Sequence, residues 1–326
     1  MATRGGLRAS PGTLCYDYFL PITDAMSKLR VSIVEFLNTA PLAWGLTEGP
    51  LEGRYDLSFA VPSQCAEDLR AGRVDIGVIP VIEYQRTENL VLLPDMAVAA
   101  KREVRSILVV AKRPVERVRR FALDCNSRSS TALVRLLCRN HWKIEPEFIE
   151  MEPDPGAMLH DADAALLIGD PALRVRLKVD ALAGKSPGNE SCCGGSDDEQ
   201  PVPGVDTLFV YDVAQQWREM TGLPCVLAVW AARRGAATPE VVADFLASKE
   251  YGLARIGEIS EAAALKLELP PRALEIYLRE NIDYSLDAEN IAGLNLYFAE
   301  CAKAGLIPRA KPIEFAATAP GVRAAR

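Results

Sequence analysis

Short apolar or β-branched runs recur along this chain, each closed by a small polar or Gly/Pro cluster, with helical periodicity between them. Residues 29–34 form the first run, and Asn38-Thr39-Ala40-Pro41 reads as a cap and helix opening. A second strand is expected over 56–61, followed by a helix that starts at Pro62-Ser63, with Ser63 as N-cap, and stops at Gly72. Residues 74–80 read as a buried strand, and 90–99 and 106–110 as two more apolar runs. From Pro114 the rhythm repeats: a strand over 120–124, a capping-rich turn at 126–130, and a helix over 131–139 with Leu133, Leu136 and Leu137 on one face. Strands over 147–150 and 164–168 bracket a short helix near 157–160. A further run ends at Asp212, a helix holds Trp217, Thr221-Gly222-Leu223-Pro224 makes a turn, and 225–230 is strand again.

The remainder is helical. Thr238-Pro239 opens a helix that buries Val241, Val242, Phe245 and Leu246, and Pro270-Pro271 interrupts the next pattern. A last helix over 287–304 turns Leu294, Tyr297, Phe298 and Cys301 inward and ends before Gly305 and Pro308. Strands alternating with helices predict an α/β protein with parallel sheets and βαβ crossovers.

With 326 residues, and about 150 per domain, the chain has room for two domains. A net charge of −7 argues against a broad nucleic-acid surface, though a local cleft can differ in sign. No apolar run is long enough to span a bilayer, and residues 1–28 mix charges and prolines in a way unlike a secretory leader. A soluble cytoplasmic protein with a loose N-terminal extension is expected, touching neither membrane nor nucleic acid, with a homodimer left open. The stretch 184–205, rich in Gly, Pro, Ser and acid, reads as a flexible insertion. Cys15, Cys65, Cys125, Cys138, Cys225 and Cys301 read as small core or near-core residues of a reduced compartment. Cys192-Cys193 has no ligand pair nearby, and His141 and His160 are the only histidines, so neither metal nor cofactor is expected.

No dinucleotide fingerprint, phosphate-binding loop, nucleophile elbow or zinc-protease helix is present. Polar groups instead gather where strands end and helices begin. Asn38-Thr39 offers an amide and a hydroxyl that bind a carboxylate without charge, and it serves equally as a cap. Ser127-Arg128-Ser129-Ser130 opens a helix, where backbone N–H groups favour an anion by roughly 0.3–1 kcal/mol. Capping explains the serines, but four polar groups together exceed what a cap requires. At Gly169-Asp170 the glycine permits close approach, and Asp170 is a base or a turn cap. Trp217 and Trp230 are expected to pack between lobes rather than stack on a ligand.

These segments, taken in order, resemble the chorismate dehydratases of the futalosine route to menaquinone. The resemblance spans roughly 29–300. It is carried by Phe36-Leu37-Asn38-Thr39-Ala40-Pro41-Leu42 with Gly45-Leu46, Gly72-Arg73-Val74-Asp75-Ile76-Gly77, Ser127-Arg128-Ser129-Ser130 and Ile168-Gly169-Asp170-Pro171-Ala172-Leu173. Its sharpest piece runs from Trp217 through Thr221-Gly222-Leu223-Pro224 to Ala228-Val229-Trp230-Ala231. It implies a two-lobed type II periplasmic-binding-protein-like fold with the ligand cleft between lobes and C-terminal helices packing on the first lobe. Residues 29–111 plus 222–315 would form that lobe, and 112–221 the second. The implied reaction removes water from chorismate to give 3-[(1-carboxyvinyl)oxy]benzoate without a cofactor.

By position, the family's catalytic Asn and Ser look like Asn38 and Ser106, with Asp170 the alternative base. Thr39, Ile168, Gly169 and the turn 127–130 would bind substrate. Ser129 stands where Thr is frequent, and the 184–205 insertion is longer than the pattern. The rival readings are the 1,4-dihydroxy-6-naphthoate synthase of the same pathway and a non-catalytic small-carboxylate-binding protein.

Overall fold

The computed structural model describes Met1, residues 28–182 and residues 208–318. The expected N-terminal extension, apart from its two ends, and the 184–205 insertion with Cys192 and Cys193 lie outside the described residues, as does Cys15.

The chain lays down β1 (Arg30–Val34), a 3-10 turn (Leu37–Thr39), α1 (Ala40–Thr47), β2 (Asp56–Ala60), α2 (Pro62–Arg70), β3 (Ile76–Pro80), α3 (Val81–Arg86) and β4 (Leu90–Ala100). It continues with β5 (Ile107–Ala111), β6 (Arg120–Asp124), α4 (Arg128–Leu137), β7 (Glu147–Met151), α5 (Pro155–Asp161), β8 (Ala164–Ile168), α6 (Gly169–Leu182), β9 (Phe209–Asp212) and α7 (Val213–Thr221). The last part is β10 (Cys225–Arg233), α8 (Pro239–Leu253), α9 (Ile256–Leu267), α10 (Pro271–Ile276) running into a π-helix (Tyr277–Asn281), and α11 (Ala288–Lys303).

Two five-stranded sheets result, ordered β2-β1-β3-β10-β4 and β7-β6-β8-β5-β9. The expectation of parallel sheets is corrected: both are mixed. β1 runs parallel to β2 and β3, and β6 parallel to β7 and β8, as βαβ crossovers require. β10 is antiparallel to β3 and β4, and β5 to β8 and β9. These two strands are the ones on which the chain arrives from the other sheet, so no crossover helix dictates their direction. Residues 107–111, grouped with the first lobe by the sequence, therefore belong to the second sheet.

Alternation within β5 explains how the second sheet is covered on both faces. Val109 and Ala111 join the large core continuous with the first sheet, while Leu108 and Val110 face a second cluster built around Met158 and Leu167. In the first sheet Trp230 meets Phe245 of α8 edge-on at 4.7 Å. Ser248 donates to the Leu42 carbonyl at 3.0 Å, pinning α8 to α1.

Local signals held at several ends. Thr238 caps α8 by accepting from the Val241 N–H, and Gly222 ends α7 with φ +75°, a conformation glycine adopts freely. Ser63 is not an N-cap: Val61 holds that position without a side-chain bond, and Pro62 starts α2. Cys65, Cys138, Cys225 and Cys301 are buried, but Cys125 is exposed, because it follows the last residue of β6.

Candidate active-site cleft

A cleft that opens to solvent lies where the two sheets meet. Val34, Phe36, Pro62, Pro80, Val98 and Leu227 form apolar wall on the first-sheet side, with Ile107 and Ile168 opposite. Its polar lining is Asn38, Thr39, Ser127, Arg128, Ser129, Ser130 and the Gly169 backbone, so eight of the ten expected residues (these seven and Ile168) come together. Ser106 and Asp170 are not on this wall.

The α4 end of the cleft differs from an ordinary cap. Ser127 stands at the N-cap position, yet no side chain caps the helix. The first N–H groups of α4 thus lack the usual side-chain acceptor, and the residues that carry them, Arg128, Ser129 and Ser130, line the cleft with Ser127. The helix dipole adds positive potential there, which favours an anion. Ser129 spends its hydroxyl elsewhere, accepting from the Ile82 N–H at 3.2 Å, while Tyr297 donates to its carbonyl at 3.0 Å. Across the cleft, the Thr39 hydroxyl donates to Asn38 Oδ1 at 3.3 Å, fixing the amide.

Arg128 is less available than its position suggests. Its guanidinium pairs with Glu67 at 2.7 Å and with Glu83 at 3.3 Å. Glu83 has no solvent exposure and also pairs with Arg70 and Arg86. Because α4 belongs to the second sheet and Glu67 and Glu83 to helices of the first, this cluster ties the two halves together. The Ser129–Ile82 bond does the same. So does Asp170, which accepts from the Leu37 N–H at 3.0 Å. Burial raises the pKa of Asp170, partly offset by that N–H. Gly169 (φ +64°) packs close against the other half: a Cβ there would lie 2.7 Å from the Phe36 ring.

Ser106 sits behind the wall, fully buried. Its carbonyl accepts from the Gly169 N–H at 2.8 Å, and its Oγ accepts from the Tyr277 hydroxyl at 2.8 Å. Sequence reasoning missed Tyr277 and Glu83. Glu83 had a signal, an acid inside the apolar run Val81-Ile82-Glu83-Tyr84; Tyr277 had none. Trp217 and Trp230 both lie in the core, where the Trp217 indole donates to the Pro224 carbonyl at 3.1 Å. Among the described residues no group of three His, Cys, Asp or Glu side chains could hold a metal ion, and no helix is long and apolar enough to cross a membrane.

Comparison with known proteins agrees with this architecture. The profile of a family described as menaquinone biosynthesis matches residues 29–303. A chorismate dehydratase of Thermus thermophilus is 30% identical over 269 residues, covering 82% of this chain and 93% of the relative. Among solved structures, a protein of Archaeoglobus fulgidus superposes with a TM-score of 0.63 at 18% identity, covering 86% of this chain and 98% of its own. The periplasmic aliphatic sulphonate binding protein of Escherichia coli gives 0.55 at 16% identity, covering 90% and 96%. These two likenesses show a periplasmic-binding-protein-like fold.

Proposed function

The chain belongs to the menaquinone-biosynthesis family, and we propose that it is a chorismate dehydratase, a hydro-lyase forming 3-[(1-carboxyvinyl)oxy]benzoate on the futalosine route. The observation that carries this is the α4 N-terminus, without a side-chain cap, in a largely apolar cleft that Asn38 also lines. A dicarboxylate that must be held without a metal needs such an end for one carboxylate and a neutral polar partner for the reacting ring.

In this reading the two sheets are the cores of two lobes, and the chain crosses between them after Ala100 and again before Cys225. The N–H groups at the start of α4 and the hydroxyls of Ser127 and Ser130 hold a substrate carboxylate, and Thr39 steadies Asn38 beside the ring. Dehydration breaks the ring C–O bond and the neighbouring ring C–H bond, and its product is aromatic. Product formation is therefore downhill, and the protein's task is mainly alignment. A substrate carboxylate takes the ring proton and passes it to the departing hydroxyl, which leaves as water. Asp170, whose carboxylate is committed to Leu37, is the alternative base. The expected cytoplasmic location is part of the same reading.

The test is mass spectrometry of the purified protein incubated with chorismate. Appearance of a product lighter by one water is expected. Intact chorismate beside a demonstrably folded protein would overturn the reading and turn attention to the naphthoate-forming reaction.

A further inference from the structure

Behind the cleft wall a polar pair is buried where apolar groups would pack as well. Tyr277 and Ser106 are 2% and 0% exposed, and the phenol donates to Ser106 Oγ at 2.8 Å. Burying two hydroxyls costs free energy that one hydrogen bond little more than offsets, so a phenylalanine and an alanine would serve packing alone.

Three features tie this pair to the site. First, burial pushes the Tyr277 phenol well above its ordinary pKa, with hydrogen bonding to Ser106 and Asn38 pulling partly against it. The phenol is thus a neutral donor at any working pH, and it interacts with a residue of the cleft wall. Second, its single proton goes to Ser106 Oγ, which turns the serine's own O–H away from it. Ser106 is held from the other side through the Gly169 N–H, itself on the wall. Third, Tyr277 opens a π-helix, the wide turn that recurs at functional sites more than in ordinary helices. Nearby, the Tyr284 hydroxyl is buried with no hydrogen-bond partner among the described residues.

We propose that Tyr277 is a positioning residue for the reaction: its hydroxyl fixes Ser106 and, with it, the Asn38 amide at the cleft wall. The amide carries two N–H groups, so one can hold the phenol while the other meets the ligand. Ser106 then acts from beneath the wall, and Asn38 is the member of the trio that touches substrate. This rests on the dehydratase reading above.

Tyr277→Phe removes one oxygen and keeps the ring. With chorismate as substrate, kcat falls about tenfold or more, KM stays within about twofold, and the melting temperature stays near wild type. Because the two hydroxyls act as one unit, Tyr277→Phe with Ser106→Ala loses no more kcat than the worse single variant. If Tyr277→Phe does not fold, Ser106→Ala removes the other half of the bond and carries the same expectation. An active wild type with kcat unchanged in the folded variant overturns this inference alone. So do additive losses, or losses that only follow stability. A wild type inactive on chorismate sinks the dehydratase reading, and this inference with it.

Discussion

Replacing Glu83 by Gln tests whether the arginine cluster holds the two halves of the molecule together. The Glu83 carboxylate has no solvent exposure, accepts from Arg86 at 3.0 Å and pairs with Arg128 at 3.3 Å, besides its contact with Arg70. Removing one side of a buried pair costs about 3–5 kcal/mol when the orphaned charge stays buried. Here the arginine side chains are 35%, 35% and 28% exposed, so water recovers part of that loss. Arg128 also keeps Glu67 at 2.7 Å. We therefore expect a loss of about 2–3 kcal/mol. In urea, with a slope of about 2–3 kcal/mol/M, the midpoint drops by about 1 M. A double-mutant cycle with Arg128→Gln isolates the bond between the halves, with a coupling of about 1–2 kcal/mol. Stability within about 0.5 kcal/mol of wild type, or a coupling of zero, would show that the cluster does not hold the halves together.

Gly169→Ala costs about 1–2 kcal/mol from its left-handed backbone alone and pushes the Phe36 ring out of the wall, raising KM several-fold; adding Phe36→Leu relieves the ring contact but not the backbone cost in denaturant melts. Ser127→Asp places a carboxylate at the α4 N-cap, so thermal stability rises slightly while the affinity for chorismate falls about tenfold or more. Loss of neither, or of both, contradicts an anion site there. Burial pushes the Asp212 carboxyl up to about 6 against the N–H groups of Arg105, Val104 and Gln215. Between the unfolded value near 3.9 and 6 the folded state binds the extra proton, so this group's contribution is full below about 4 and is lost as pH rises through about 6. Wild-type stability relative to Asp212→Asn should therefore increase from pH 7 to pH 5 in urea titrations.

Much of this was legible in the sequence because it is local. Turn chemistry at Thr238-Pro239 and Gly222 set helix ends, and the polar clusters at 38–39 and 127–130 marked the cleft. Strand direction was not legible. A fully buried strand such as Ile107–Ala111 reads the same whichever way it enters its sheet, so both antiparallel arrivals were missed. The same holds for which sheet it joins, since Ile107 follows β4 closely in the chain yet pairs with Ile168. The link from Tyr277 to Ser106 and Asn38 was out of reach for another reason. Tyr277 lies 171 residues from Ser106, in a helical segment whose apolar spacing reads as core. Only the folded chain shows that its hydroxyl, rather than its ring, meets the site. Ser127 illustrates the converse: its identity suggests a cap, and the structure leaves that role unfilled.

The most direct test of the account is a crystal structure of the wild-type protein with 3-[(1-carboxyvinyl)oxy]benzoate bound. We expect a carboxylate within hydrogen-bond distance of the backbone N–H groups at residues 128–130, with the ring against Asn38. A ligand held elsewhere, or a cleft carboxylate that bypasses the α4 N-terminus, would contradict it.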